Sequence, residues 1–249
     1  MITVVSLNIE GNRHYERVLP FIDSVAPDVI CLMEAPSSVL VHLANRGYFT
    51  IFAPMCIENP VAPGDVLGLV LATKAPHTAT TTYYTSHHGR IVPHDKHNAH
   101  SKSYPLITAT ITHQDDTYTI ATAHLYDTYN GQESPEQTAS VDSLLGALAK
   151  LPPHILCGDF NMPRGYNTNY DRFCTQYVDT VPASYTSSLD RQIHRAGNRT
   201  DLNAPIFDVY MVDYVFTQAP YQASDVRLEF GVSDHAAVVA TLSKTSLIK

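Results

Sequence analysis

Ile155-Leu156-Cys157-Gly158-Asp159-Phe160-Asn161-Met162-Pro163 is a short apolar run that ends on an acid and an amide two residues apart. It reads as a strand entering a loop. Side chains at i and i+2 of an extended segment point to the same side, so Asp159 and Asn161 can reach one point in space together. Gly158 permits close backbone approach and Pro163 stops further strand pairing, which sets the pair at a sheet edge facing solvent or a ligand. On this stretch alone an Asx-type turn leaving a strand accounts for the same residues equally well, since Asp and Asn are common there.

Working outward, the same arrangement recurs. Upstream, Ser134-Pro135-Glu136-Gln137 opens a helix with a cap, a proline at the first position and a Gln at N3. Val141, Leu144, Leu145, Leu148 and Leu151 continue it as one apolar stripe that covers a sheet. Before that helix, residues 118–123 form a strand ending at His124, joined through a turn at 113–117 to a strand over 104–112. Nearer the N-terminus, strand 2–8 runs into Asn8-Ile9-Glu10, again a polar pair at i and i+2. Tyr15, Val18, Leu19, Ile22 and Val25 fall at helical spacing, with Pro20 expected in the first turn or at a kink. A buried strand over 29–33 closes on Glu34, and a carboxylate there needs solvent, a cation or hydrogen-bond donors. Residues 37–46 read as a short helix, 48–53, 66–73 and 78–84 as strands, and 54–64 as a loop.

Downstream, 162–208 is polar and weakly patterned and reads as loops around a site, with a short helix near 169–176. Residues 209–216 read as a strand with Asp213 inside it, and a buried Asp needs a partner. A strand over 225–230 follows, then Ser233-Asp234-His235 in a loop before the last strand, 236–242. No boundary or repeat interrupts the pattern, so residues 1–249 are expected to form a single domain.

Composition narrows the function. Sixteen Lys+Arg against 24 Asp+Glu give a net charge of -8, so bulk electrostatics do not draw the chain to phosphate backbones. Any nucleic acid must be held locally. The locally basic stretch is 85–103, with His87, His88, Arg90, His94, Lys96, His97, His100 and Lys102. It reads as a metal site, as a substrate-facing loop or as a solvated loop; outside a helix, the three-residue spacing of His94, His97 and His100 does not converge on one ion. Cys31, Cys56, Cys157 and Cys174 show no paired metal spacing, and a reducing compartment fits them best. The N-terminus lacks a basic leader and no stretch approaches the ~20 apolar residues of a membrane span, so a cytoplasmic protein away from membranes is expected. No Gly-x-Ser-x-Gly elbow is present for a serine hydrolase.

Strand ends thus place Asn8, Glu10, Glu34, His124, Asp159, Asn161, Asp213, Asp234 and His235 on one rim of a β-rich domain. The chain here resembles the endonuclease/exonuclease/phosphatase superfamily. The resemblance runs through Ser6-Leu7-Asn8, Asp28-Val29-Ile30-Cys31-Leu32-Met33-Glu34, Thr122-Ala123-His124, Gly158-Asp159-Phe160-Asn161, Val212-Asp213-Tyr214-Val215-Phe216 and Ser233-Asp234-His235, in order. It implies an α/β (α+β) fold, a four-layer αββα sandwich of two packed mixed β-sheets flanked by helices, with the site at one edge between the sheets. The activity implied is a Mg²⁺-dependent phosphodiester hydrolase, a nuclease or nucleotide-type phosphodiesterase, acting as a monomer on a phosphoester such as nucleic acid. A phosphatase or phospholipid-type esterase of the same fold is the alternative, and a catalytically weak binding module the second.

The resemblance also implies roles. Glu34 would hold Mg²⁺, or Mn²⁺, with Glu10 and Asp234 beside it. Asp213 would orient His235, Asp159 would orient or deprotonate the attacking water, and Asn8 and Asn161 would position water and phosphate. His124 would donate to a non-bridging phosphate oxygen. Five departures qualify this picture. Met33-Glu34 stands where the family usually shows Gln-Glu, and Glu10 stands where many members carry Asp. The chain has no Trp to wall a flipped-out sugar and no Trp-Cys-Asp-Arg signature, which argues against abasic-site endonucleases and inositol polyphosphate 5-phosphatases. Asp127 follows His124-Leu125-Tyr126 where several relatives place a phosphate-contacting Asn or Ser.

Overall fold

A computed structural model describes residues 1–58, 65–85, 90–95, 98, 101–128, 131–195 and 206–245. His87, His88, Lys96, His97 and His100 of the basic stretch lie outside the described residues. In chain order the elements are β1 (Ile2–Asn8), α1 (Tyr15–Val25), β2 (Val29–Pro36), α2 (Val39–Ala44), β3 (Phe49–Ile57), β4 (Val66–Thr73), β5 (His77–Tyr83), β6 (Pro105–His113), β7 (Asp116–His124), α3 (Pro135–Leu148), β8 (Ile155–Asp159), α4 (Thr168–Cys174), β9 (Val178–Asp179), α5 (Ile206–Val209), β10 (Asp213–Thr217), β11 (Tyr221–Glu229) and β12 (Ala237–Lys244). No helix among the described residues is long and apolar enough to cross a membrane.

The strands form two six-stranded mixed sheets, ordered β11-β12-β1-β2-β4-β3 and β5-β6-β7-β8-β10-β9. Alternation along each strand separates the layers. On β1 and β2, Val5, Leu7, Ile30 and Leu32 face outward and bury Val18 and Ile22 of α1 and Val39 and Leu43 of α2. Val4, Val29, Cys31 and Met33 face the other way, into the core between the sheets. There Cys31 and Cys157 of β8 are both fully buried. By the same parity Leu156, Tyr214 and Phe216 point to the outer face of the second sheet, where Phe160 and Phe173 lie 5.3 Å apart and Tyr170 packs 5.3 Å from Tyr214. Helix, sheet, sheet and helix give the four-layer sandwich expected from the sequence.

Each sheet contains one parallel pair, β1 with β2 and β7 with β8, each joined by a helical crossover. Parallel neighbours end side by side, so Asn8 lies beside Met33 and His124 beside Asp159. In open α/β sheets ligands collect at such carboxyl ends. β10 runs antiparallel to β8 and brings its first residue, Asp213, opposite Asp159. His235 enters the same rim just before β12. Two local readings need correction. Asp213 opens its strand instead of lying inside one, because Ile206–Val209 turn as a short helix. Pro20 sits in the interior of α1, with its ring on the exposed face. In addition, β3 continues through Pro54 to Ile57, with a register shift between Pro54 and Cys56 that lets the proline into an edge strand.

Gly158 is required by packing. A Cβ there would stand 2.0 Å from the Ala123 carbonyl oxygen on the neighbouring parallel strand. Gly158→Ala must therefore push β7 and β8 apart, at a cost of about 1–3 kcal/mol. Urea unfolding is expected to show a lower midpoint for this variant, and an unchanged midpoint would contradict the close approach.

Candidate active site

Asp159 is the centre of the rim. Parity puts it on the inner face of β8, where its Oδ2 accepts a 3.1 Å hydrogen bond from Asn8 Nδ2 of the opposite sheet. Its Oδ1 accepts from the Asn161 backbone N–H at 3.0 Å. His124 Nε2 and His235 Nδ1 lie 3.6 and 3.9 Å from Asp159 Oδ2. Burial first, then the neighbouring Asp213 carboxylate, push Asp159 up to about 6, against the opposing pull of His235, His124 and Asn8. Its charged form is held at a cost.

His235 is fixed by Asp213. Its Nδ1 donates to Asp213 Oδ2 at 2.7 Å, and Ser188 Oγ donates to the same oxygen at 2.6 Å. Ser188 is itself oriented by the Val212 and Asp213 backbone N–H groups at 3.1 and 3.2 Å. Burial works against a charged ring, but Asp213, the hydrogen bond to it, Asp159 and Asp234 together lift His235 well above the usual imidazole range. The ring therefore holds its proton at neutral pH, and Nε2 is left for a ligand.

Asn161 leaves β8 in the left-handed region, with φ 50°. Its Nδ2 donates to Leu125 O at 3.1 Å and faces His124 Nε2 at 3.3 Å. Gln137 on α3 donates from Nε2 to both Asn161 O and Tyr126 O, which ties the helix to the two strand exits. His124 Nδ1 is buried with no hydrogen-bond partner among the described residues.

Glu34 reaches the rim through a bulge. Alternation would send it after Leu32 to the helix-facing side, but the pairing of β2 with β4 shifts register between Leu32 and Ala35, and Glu34 takes φ 50°. Bulges re-aim side chains in this way beside active sites. Glu34 then lines a small cleft with His124, Lys102 and Glu58. Burial opposes its charge, yet Lys102, His124, His235 and an Asn8 hydrogen bond hold it below the usual carboxylate range. Glu10, Glu34 and Asn161, at three strand exits, are all left-handed non-glycine residues. Each such conformation costs on the order of 1–3 kcal/mol and persists only where its surroundings enforce it.

Of the predicted metal residues, Glu10 and Asp234 share one group of ligand atoms. Two groups of described residues bring three ligand atoms within 4.8 Å of one another, Glu10 with His14 and Asp234, and Asp159 with Asp213 and His235. Glu34 belongs to neither. The Glu10 carboxylate is already engaged, with Arg195 Nε at 2.7 Å, Arg13 Nη1 at 3.2 Å and His14 Nε2 at 3.1 Å. Sequence reasoning missed Ser188, Gln137, His14, Arg13 and Arg195. None sits at a strand end, so nothing in their local pattern marks them. Lys102 was visible only as one charge among eight in the basic stretch.

Fold and site together define the class, a four-layer α/β sandwich hydrolase with acids, amides and imidazoles on the rim shared by its two sheets. The sequence profile of the Endonuclease/Exonuclease/phosphatase family matches residues 5–235, and the chain belongs to that family, whose members are generally phosphoester hydrolases. No curated protein sequence matches it significantly. Among solved structures, it is similar to an endonuclease/exonuclease/phosphatase from Beutenbergia cavernae, at 19% identity and TM-score 0.69 over 98% of this chain and 71% of that one. The human Nocturnin catalytic domain with bound sulfate anion is similar at 18% identity and TM-score 0.69, over 98% and 93%. So is D. rerio TDP2 complexed with single strand DNA product, at 15% identity and TM-score 0.67, over 98% and 99%. At these identities the likeness is one of fold.

Proposed function

We propose that the chain is a Mg²⁺-dependent phosphodiester hydrolase, of the nuclease or nucleotide phosphodiesterase type. The observation that carries this reading is the bond of His235 Nδ1 to Asp213 Oδ2 at 2.7 Å, with the Asp159 carboxylate 3.9 Å from the same ring nitrogen. One imidazole is held protonated beside one carboxylate tuned to about 6, which is an acid and a base side by side.

Asp159, oriented by Asn8 and the Asn161 N–H, accepts the proton of the attacking water. The Asn8 and Asn161 amides position water and phosphate by hydrogen bonds. His124 donates an N–H to a non-bridging phosphate oxygen, and protonated His235 offers Nε2–H to the charge that develops in the transition state. Glu34 fits a hard cation, because it is a carboxylate kept ionised at the rim, and Mg²⁺ needs only one or two carboxylates with waters and phosphate oxygens. When bound, the cation supplies positive charge to the phosphoryl oxygens. Glu10, held by two arginines and a histidine, instead anchors positive charge next to Asp234. The sulfate of the Nocturnin structure and the DNA strand of the TDP2 structure support an anionic, nucleotide-type substrate.

The test is hydrolysis of single-stranded DNA, duplex DNA, RNA, bis(p-nitrophenyl) phosphate and a phosphomonoester with Mg²⁺, Mn²⁺ or EDTA, for wild type and Glu34→Gln. Cleavage of diesters that EDTA abolishes and Glu34→Gln impairs is expected. Preference for the monoester would instead favour a phosphatase. The pH profile adds a second check. Asp159 acts only after losing its proton, so kcat/KM is expected to rise with pH through about 6. It should fall again well above the ordinary imidazole range, where His235 loses its proton. A flat profile across pH 5–7 would remove Asp159 from the base role.

A further inference from the structure

The two sheets end on four edge strands, β3 and β11 in one and β5 and β9 in the other. An edge strand presents unpaired N–H and C=O groups, and proteins blunt such edges with charge, proline, a bulge or a short length. Three of the four are blunted. β3 carries Pro54 and a register shift between Pro54 and Cys56. β11 carries Asp225, Arg227 and Glu229, a register shift between Ser224 and Arg227, and a left-handed backbone at Asp225. β9 is two residues long. β5 has none of these devices. His77-Thr78-Ala79-Thr80-Thr81-Thr82-Tyr83 contains no Asp, Glu, Lys, Arg, Pro or Gly, and it pairs with β6 along its whole length without a shift. Residues 78–82 are all exposed.

Threonine and tyrosine favour an extended backbone, and packing holds this one in place. Tyr83 Oη donates to Pro54 O of β3 at 3.0 Å, and the His77 ring meets Phe49 of β3 edge to face, with ring centres 6.5 Å apart. The odd-numbered residues therefore face the other sheet, and Thr78, Thr80 and Thr82 the opposite side. Backbone direction follows from one bond. Tyr84 stands opposite Tyr104 in the continued β5–β6 register, and its N–H donates to Tyr104 O at 3.1 Å. Bonded and non-bonded pairs alternate along an antiparallel ladder, so Thr78, Thr80 and Thr82 bond to β6. His77, Ala79, Thr81 and Tyr83 turn their N–H and C=O groups outward, where they have no backbone partner among the described residues.

These outward groups are self-complementary. A second copy of β5, antiparallel and related by a two-fold axis at Thr80, sets His77 opposite Tyr83 and Ala79 opposite Thr81 in both directions. Every outward residue then meets an outward residue, in a ladder of about eight N–H···O bonds, two for each pair. Thr80 lies opposite its own copy and Thr78 opposite Thr82, and such cross-strand threonine pairs are favourable. No like charges meet. Tyr83 of the second copy lands beside His77, on the side where the Phe49 side chain is 49% exposed, and covers it.

We propose that the chain forms a homodimer through antiparallel β5–β5 pairing, which joins the β5-bearing sheets of two copies into one continuous sheet, where the family resemblance implied a monomer. Tyr83 is the rim end of β5, and in the pairing the two rim ends lie apart, so both candidate sites stay open. The dimer is independent of the reaction proposed above.

The experiment is sedimentation equilibrium of the full chain at about 1–100 µM, for wild type, Thr81→Pro and Thr80→Lys. Thr81→Pro removes an outward N–H and leaves the bonds to β6, while Thr80→Lys sets two ammonium groups face to face on the axis. Wild type is expected to approach twice the chain mass as concentration rises, and both variants to stay at the chain mass. Thr80→Cys reports the register, in a Cys174→Ser background that removes the exposed native thiol. Cα atoms of a non-bonded pair lie about 4.5 Å apart, within disulfide reach, so mild oxidation should link Thr80→Cys copies at least about tenfold faster than Thr78→Cys copies. A wild type that stays at the chain mass throughout would overturn the proposal and leave the edge to an extended segment of another protein. A dimer that Thr80→Lys leaves in place, or equal linking at positions 78 and 80, would overturn it by placing the interface elsewhere. Should Thr81→Pro unfold, Thr80→Lys and the cysteine pair decide alone.

Discussion

Asp159→Asn is expected to lower kcat toward phosphodiesters by about 10²–10⁴-fold, the range for loss of a positioned general base. The amide keeps the shape and can still accept from Asn8 or from the Asn161 N–H, so geometry survives while basicity is lost. Stability is expected to move the other way. A carboxyl raised to about 6 binds its proton more tightly in the folded protein than in the unfolded chain. Its contribution to stability is present in full below about pH 4, and is lost as pH rises through about 6. At pH 7 the ionised, buried Asp159 therefore costs on the order of 3 kcal/mol, by about 1.4 kcal/mol per pKa unit. The Asn variant should melt at or above the wild-type temperature at pH 7, and show a weaker stability loss between pH 4 and 6. An inactive variant that is also markedly destabilised would recast Asp159 as a structural residue.

His235→Ala is expected to lower kcat about 10³-fold, and Asp213→Asn by a comparable factor, because the carboxylate acts only through the ring it orients. Groups that work as one unit are non-additive, so the double variant should lose little more than either single one. Independent, additive losses would break the pairing seen at 2.7 Å. The sign of the pH effect is opposite to that of Asp159 in activity. His235 is lifted by Asp213 and works protonated, so Asp213→Asn should bring the alkaline limb of the kcat profile toward neutral pH. In stability, a raised imidazole contributes fully below about pH 6.5, and its contribution is lost as pH climbs through the higher folded value. His235→Ala should flatten the stability curve on that alkaline side.

Strand-end residues were the legible part of this site. Asn8, His124 and Asp159 each close an apolar run, and in the structure Asn8 and Asp159 lie on inner faces, where they meet at 3.1 Å. The family order then brought in Asp213 and His235. The position of Asp213 at a strand start was not legible, because the apolar run that includes Val209 and Met211 continues smoothly into it, and only tertiary packing stops the pairing at Asp213. Glu34 shows the limit of periodicity. Its sequence places it on the helix-facing side, and a bulge with a left-handed backbone brings it to the rim. Ser188 and Gln137 stabilise the site from a loop and a helix, and long-range hydrogen bonds of this kind leave no local pattern. The metal residues divide similarly. Glu10 shares a motif with Asn8, yet its carboxylate is taken by cations that come from α1's approach and from Arg195, 185 positions away in the chain.

The most direct measurement is hydrolysis of bis(p-nitrophenyl) phosphate in Mg²⁺ by wild type and by the Asp159→Asn/His235→Ala double variant, with thermal unfolding of both recorded in the same buffer. Cation-dependent turnover by wild type, with loss of at least about 10³-fold in a double variant that still unfolds cooperatively, is the expected result. Turnover retained by the folded double variant would place the chemistry away from the rim around Asp159 and contradict the account.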